Sequence, residues 1–308
     1  MGERITAVAG ATGHLGGLIA RSLRDRGERV RAIVRAGSAD GKALQLRQIG
    51  VTVVEADYDD PDQLAEACQG ASCVVSALAG LRDVIIDAQT ELLEAAVSAG
   101  VPRFIASDFA IDFYKMPDGH NRNLDLRREF AARLDRAPIA ATSILNGMFA
   151  EMLTGQAPFI LAPIKRVAYW ENADQPMDFT TIANTAAFTA AAALEPTTPR
   201  FLRIAGDVVT ARDLAAIVSS VTGDHYKLLR AGSLGRLEKL IAVTRTLSPG
   251  TDEVYPPWQG MQYMRDMFDG RAKLEPLDNA RYPGLLWTSV RDILEGHERA
   301  AETRRRAS

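Results

Sequence analysis

Ile5-Thr6-Ala7-Val8-Ala9-Gly10-Ala11-Thr12-Gly13-His14-Leu15-Gly16 is the stretch that decides the fold of this chain. Its first five residues read as a buried strand, and Leu15, Leu18, Ile19 and Leu23 then recur at helical spacing. The glycines between them have separate mechanical tasks. Gly10 permits the tight turn off the strand. Gly13 lets the backbone approach a pyrophosphate with no Cβ in the way, and Gly16 allows helix and strand to pack closely. The phosphates then rest on the unpaired amides and positive end of the helix. Glycines also mark ordinary turns; their place between a strand and a helix favours dinucleotide binding. The candidate contacts here are Gly10, Thr12, Gly13, His14, Leu15 and Gly16.

About twenty residues further on, at the end of the next strand, such motifs carry the residue that reads the ribose. Here Val30-Arg31-Ala32-Ile33-Val34 is followed by Arg35. An acidic residue at this point bonds the 2′-hydroxyl of NAD, whereas an arginine accommodates the 2′-phosphate of NADP. Ser38 and Lys42 in the following loop add donors and charge, although Lys42 serves equally well as a solvated surface cation. NADP(H) is the expected cofactor. Asp57 after strand three, Ala79-Gly80 after strand four and Ser107 after strand five complete the cofactor-binding candidates.

The 308 residues are 47% hydrophobic and 24% charged, with a formal net charge of −3. That is ample for a buried core and argues against nucleic acid as the main partner. Cys68 and Cys73 read as free thiols, which suits a reducing compartment. The four histidines show no metal-ligand spacing, so no metal is expected. The N-terminus enters a strand at once, with no signal-peptide pattern, and the longest apolar run is too short to span a bilayer. A cytoplasmic protein with no membrane association is expected. Arg304-Arg305-Arg306 reads as a disordered tail.

Apolar β-branched runs alternate with amphipathic stretches through the first half. Strands are expected at 4–9, 30–34, 51–54, 72–76, 102–105 and 139–145. Helices are expected from about residue 13, at 40–49, from Pro61 with Asp60 as N-cap, at 83–99 and at 123–136. Alternating βα units with covered strands give a doubly wound parallel sheet of Rossmann type. Residues 1–150 read as the dinucleotide-binding domain and 151–308 as a smaller α+β, substrate-binding lobe, part of it packing back on the sheet. In that lobe helices are expected at 180–194, 210–221, 232–246, 258–269 and 288–301, with short strands near 166–170, 201–205 and 225–230.

Together, Gly10–Gly16, Val34-Arg35 and Pro102-Arg103-Phe104-Ile105-Ala106-Ser107-Asp108-Phe109 resemble the atypical short-chain dehydrogenases, specifically the NmrA-like and isoflavone-reductase-like group. In that group strand five runs into Pro-Ser-Glu-Phe-Gly. Thr142-Ser143-Ile144-Leu145-Asn146-Gly147-Met148-Phe149 is similar to the family's strand six and Asn-x-Phe turn, and Tyr282-Pro283…Trp287-Thr288-Ser289 to its C-terminal element. The resemblance covers nearly the whole length. It implies an NADP-dependent oxidoreductase or, in the NmrA manner, a nucleotide-binding regulator. One departure matters. The isoflavone-type reductases carry a proton-handling lysine before strand six, and alignment back from Thr142 places Arg127 there, to within about one position. No lysine occurs between Lys115 and Lys165, and Tyr114 lacks the Tyr-x-x-x-Lys partner, Asp118 standing at that spacing. An arginine is a poor acid–base group but a good oxyanion clamp.

Hydride transfer also needs a group to supply or stabilise the proton. The segment 107–122 follows strand five and offers Tyr114, Lys115 and His120 as donors, with Arg127 as clamp; Lys115 is expected to lower the Tyr114 phenol by its charge. Substrate contacts are expected from Asp108, Phe109, Met148, Phe149, Trp170 and Trp258, although most Met and aromatic residues at helical spacing are simply core. Two functions remain open. One is an NADPH-dependent reductase of a small, fairly apolar or aromatic carbonyl, imine or activated alkene, working as a monomer or homodimer. The other is a non-catalytic NADP(H)-sensing regulator that engages a protein partner.

Overall fold

In a computed structural model, residues 4–35, 37 and 40–307 are described. The apolar runs of the first half form β1 (Ile5–Ala9), β2 (Arg29–Val34), β3 (Thr52–Glu55), β4 (Cys73–Ser76), β5 (Arg103–Ile105) and β6 (Ala140–Leu145). Between them lie α1 (His14–Asp25), α2 (Asp40–Gln48), α3 (Pro61–Cys68), α4 (Gln89–Ser98) and α5 (Arg122–Leu134). The second half adds β7 (Met148–Phe149), β8 (Ile160–Leu161), β9 (Arg166–Trp170), β10 (Met177–Thr180), β11 (Phe201–Arg203), β12 (Asp207–Val209) and β13 (Lys227–Gly232). Its helices are α6 (Ile182–Leu194), α7 (Ala211–Thr222), α8 (Leu234–Leu247), α9 (Pro257–Asp269) and α10 (Val290–Ala307).

Seven strands stand in the order β11-β6-β5-β4-β1-β2-β3, all parallel. The winding direction reverses between β1 and β4, which opens a crevice at their carboxyl ends. This is the doubly wound Rossmann-type α/β fold. Successive strand residues point to opposite faces, and both faces are covered. Ile19, Leu23, Phe188 and Ala190 of α1 and α6 meet Val8, Val75 and Ile144 on one side. Leu64, Leu92, Phe130 and Leu134 of α3, α4 and α5 meet Ala7, Val74 and Phe104 on the other. Thus α6 and β11, from the second half, complete the sheet of the first.

Two three-stranded sheets, β12-β10-β7 and β13-β9-β8, flank a second core containing Met177, Phe179, Leu214, Met267, Phe268 and Leu294. Ile111, Phe113 and Leu145 join this core. The stretch after β5 is therefore the seam between the two halves.

The helix expected over 83–99 begins instead as a π-turn, Asp83–Ala88, ahead of α4. The wide turn leaves Gln89 buried, its Nε2 donating to the Ile85 carbonyl at 3.1 Å. At Asp60 the expected cap forms, its carboxylate accepting from the amides of Asp62 and Gln63. Arg304–Arg306 is not a disordered tail: α10 runs through it to Ala307, started by a Ser289–Asp292 cap and braced by Arg299–Glu295 and Arg305–Glu298 ion pairs. Both cysteines are buried, and burial pushes Cys68 up to about 11 and Cys73 up to about 12. Among the described residues no helix is long and apolar enough to cross a membrane.

Candidate active site

At the crevice, each glycine of the first turn has a different surrounding. Gly10 has φ +78°, and a Cβ there would lie 2.5 Å from the Ala77 carbonyl oxygen, so the turns after β1 and β4 touch backbone to backbone. A Cβ on Gly16 would overlap the Gly10 carbonyl. Gly13 differs: it is exposed, its amide donates to Gly10 O at 2.9 Å, and a Cβ would meet only that oxygen, at 3.2 Å. It is also the N-cap of α1, with no side-chain cap and no acidic residue in the first turn. First-turn amides have no intrahelical acceptor. Beside exposed His14, with Thr12 and Leu15 half-buried, they form a cradle open to an anion. The geometry fits a pyrophosphate.

Toward β2 and β3, Arg35 is exposed directly after Val34, whose carbonyl accepts from Ala56 N at 2.9 Å. Its charge acts on the buried Tyr58 phenol, which burial holds above its ordinary value. Lys42 is exposed on α2, and Ser38 lies outside the described residues. Asp57 shapes its own turn: its carboxylate accepts from Asp59 N at 3.1 Å, and its amide donates to Gln63 at 3.2 Å. Ala79 is exposed and Gly80 half-buried; a Cβ on Gly80 would collide with the Val84 side chain, so this glycine admits the π-turn. Ser107 braces the same loop. Its hydroxyl donates to Leu78 O at 2.6 Å and its amide to Gln89 at 3.0 Å.

The three donors expected after β5 are drawn apart. Tyr114 stacks on Phe113, sets its edge against Phe201 of the outer strand β11, and receives a hydrogen bond from Arg200 at 3.1 Å. Its phenol is raised, not lowered: burial dominates and Asp108 adds to it, against the pull of Arg200. Lys115 turns to Asp112, at 3.7 Å, and donates to the Lys273 carbonyl at 2.6 Å. His120 lies 3.4 Å from Asp266, in a buried cluster where Asn121 and Arg265 also bond that carboxylate. Burial and the charges of Arg265 and Arg271 lower the imidazole below its ordinary value.

What the fold does gather lies at the start of α5. The chain enters α5 at the carboxyl edge of the sheet, with Asn123 and Arg127 one turn apart on its buried face. Arg127 is 8% exposed; Nη1 donates to Asn123 O at 3.1 Å, and Nε has no hydrogen-bond partner. Nearby Asp108 is fully buried, with Oδ2 accepting from Ser143 and Oδ1 unpaired. Burial raises its carboxyl against the opposing pull of Ser143, Arg127 and Arg200. From α9, Tyr263 packs against the second core, and burial holds its phenol above its ordinary value, opposed by the Arg127 charge. At the end of β6, Asn146 is buried with both amide atoms unpaired. An unmade buried bond costs about 1–3 kcal/mol. Asn146 belongs to the stretch that resembles the family's Asn-x-Phe turn, but its spacing alone does not mark it as a site residue.

Phe109 is buried in the core cluster that Ala77 and Phe149 also pack against, while Met148 reaches the second core. The tryptophans lie elsewhere. Trp170 lines a cavity of about 370 Å³ over α8 with Ala231, Arg236 and Leu240. Trp258 is 2% exposed, donates to Pro249 O at 2.8 Å, and has the Arg122 and Arg245 guanidiniums 4.8 and 4.9 Å from its ring. It is a core residue, packed with Leu237 and Ile241. Among the described residues no cluster of His, Cys, Asp and Glu could hold a metal.

The model of the NmrA-like family matches residues 2–244. The chain belongs to the NmrA-like family. It is 26% identical to isoflavone reductase homolog P3 of Arabidopsis thaliana over 51% of this chain and 53% of that one. The chain thus spans about half the length of the first curated relatives it matches. The structure of AtPrR2 with NADP+ and (+)-pinoresinol superimposes with a TM-score of 0.81 at 20% identity, covering 96% of this chain and 100% of that one. The NADPH-dependent quinone oxidoreductase QOR2 of Escherichia coli, complexed with NADPH, gives 0.75 at 22%, covering 94% and 99%. These likenesses confirm the fold of this NmrA-like chain.

Proposed function

We propose that this NmrA-like protein is an NADPH-dependent reductase that transfers hydride to a small, fairly apolar or aromatic carbonyl, imine or activated alkene. The observation that carries the reading is the open side of Gly13, where a Cβ would meet nothing but one carbonyl beside uncapped helix amides. The NADP+ and NADPH held by AtPrR2 and QOR2 support the same reading. Bound NADPH supplies the hydride. The chain's own residues do the rest. The α1 amides hold the pyrophosphate, and Arg35 receives the 2′-phosphate. Phe109 and Phe149 give the reacting end an apolar floor that excludes water. Arg127, a permanent cation, stabilises the oxygen on which negative charge develops.

A non-catalytic NADP(H)-sensing regulator is the second reading. Arg127, in the place where the resemblance expects a proton-handling lysine, favours it. Following NADPH absorbance with a panel of carbonyls, imines and enones separates the two. Oxidation of NADPH supports the reductase; tight binding that alters protease sensitivity with no turnover supports the sensor.

A further inference from the structure

We propose that the groove between the ends of β9 and β13 and helix α8 is a second binding site, for a small carboxylate with an aromatic body. It encloses about 370 Å³ and is lined by Trp170, Ala231, Arg236, Lys239, Leu240 and Val243. These residues belong to β9, β13 and α8, and none comes from the turns after β1, β4 and β5 that form the nucleotide crevice. The site goes beyond the reductase reading and does not depend on it.

Helix α8 carries two apolar stripes. Leu237 and Ile241 face inward and pack with Trp258. Leu240, Val243 and Leu247 recur at helical spacing on an adjacent stripe and are 43%, 55% and 80% exposed. One stripe seats the helix, so the second is contiguous apolar surface of the kind that marks a binding site. Arg236, one turn before Leu240, shares this stripe, and Lys239 borders it. Among the described residues neither cation has a side-chain hydrogen bond or ion pair. Glu238 stands two residues after Arg236, on the opposite side of the helix, and its charge acts on His120 instead.

The groove is fixed at its aromatic end. A Cβ on Gly232 would lie 3.0 Å from the Trp170 ring and 3.4 Å from the Arg236 side chain, so ring and cation meet over the end of β13. Glu171 follows Trp170 with φ +57°, a left-handed conformation that few residues other than glycine adopt. Its amide donates to the Gly232 carbonyl at 2.9 Å, and its carboxylate accepts from Leu234 N at 3.2 Å and stands 3.8 Å from Arg230. The acidic neighbour of Trp170 is thereby engaged, and the charge left at the groove is positive. An aromatic face, an aliphatic wall and two unpaired cations select complementary parts in a ligand. A ring packs on Trp170 against Leu240 and Val243 while a carboxylate reaches Arg236 and Lys239. The volume is that of a small-molecule site.

The test is titration calorimetry of the full chain with 2-naphthoate, with and without saturating NADP+. The wild type should bind the acid equally in both conditions, and the neutral 2-naphthamide ~10-fold more weakly or worse. Arg236→Gln and Lys239→Gln should each weaken 2-naphthoate by ~10-fold, and Leu240→Ser by about fivefold through lost apolar contact. Lys227→Gln removes an exposed cation at the other end of β13 and should change nothing. NADPH affinity should be the same in all four variants. A protein that binds 2-naphthoate in this way yet oxidises no NADPH keeps the groove site and loses the reductase reading. No binding by the wild type, equal binding by wild type and groove variants, or equal affinity for acid and amide overturns the site and leaves the reductase untouched. Loss of 2-naphthoate binding on adding NADP+ would place the probe in the crevice and also overturns it. So does a dimer in sedimentation that Leu240→Ser dissolves, since the groove is then a contact between copies of the chain.

Discussion

Replacing Gly13 with valine separates a ligand cradle from a mere turn. Gly13 has φ −78° and ψ 168°, a conformation open to any L-residue, and its Cβ would approach only Gly10 O, at 3.2 Å. The fold should therefore lose no more than about 1 kcal/mol, the usual scale of a poorer N-cap. Binding should suffer far more. A branched side chain at this point keeps a pyrophosphate from the α1 amides; two charge-assisted hydrogen bonds at about 1.5–3 kcal/mol each amount to roughly 10²–10⁴ in affinity. Gly16→Ala is the counterpart. Its Cβ overlaps the Gly10 carbonyl, which is backbone and cannot rotate away, so α1 must shift from β1 at a cost of about 1–3 kcal/mol or more. Titration calorimetry with NADPH and chemical denaturation of both variants give the answer. Wild-type NADPH affinity in Gly13→Val, or wild-type stability in Gly16→Ala, would refute the reasoning.

Arg35→Ala should weaken NADPH by about ten- to a hundredfold and leave NADH unchanged, the loss expected for one charge-assisted phosphate contact; calorimetry with both nucleotides decides it. Tyr114→Phe should cost about 1 kcal/mol of stability through the lost Arg200 bond, with turnover retained; a collapse of kcat would return Tyr114 to the chemistry. Burial raises Asp266 to about 6, so the folded chain holds its proton over a range where the unfolded chain has released it. Stability from this group is full below about pH 4, the unfolded value, and is lost as pH rises through about 6. The stability gap between wild type and Asp266→Asn should therefore shrink from pH 4 to pH 7 in urea melts, and a gap that stays constant contradicts it.

Local chemistry made much of this protein readable from its sequence. Gly10 and Gly16 are needed because a Cβ there would overlap backbone, and strand and helix periods follow from neighbours a few positions apart. The same holds for the Asp60 cap, for Arg35 after β2, and for the placement of most helices. Tertiary packing decided the rest. Nothing near Tyr114 in sequence says that Phe201 of β11 and the preceding Arg200, from the second half, will hold it, or that burial will raise its phenol against the pull of Arg200. The π-turn before α4 depends on Gly80 and on the buried Gln89. Trp258 was equally ambiguous until packing against Leu237 and Ile241 buried it. Hydrogen bonds from Asn121, the N-cap of α5, to Asp266 and from Gln259 to Asn121 join α5 to α9, segments far apart in the chain. Hydrogen-bond partners and desolvation are properties of an assembled interior, so the chemistry of these side chains exists only once the two halves have packed.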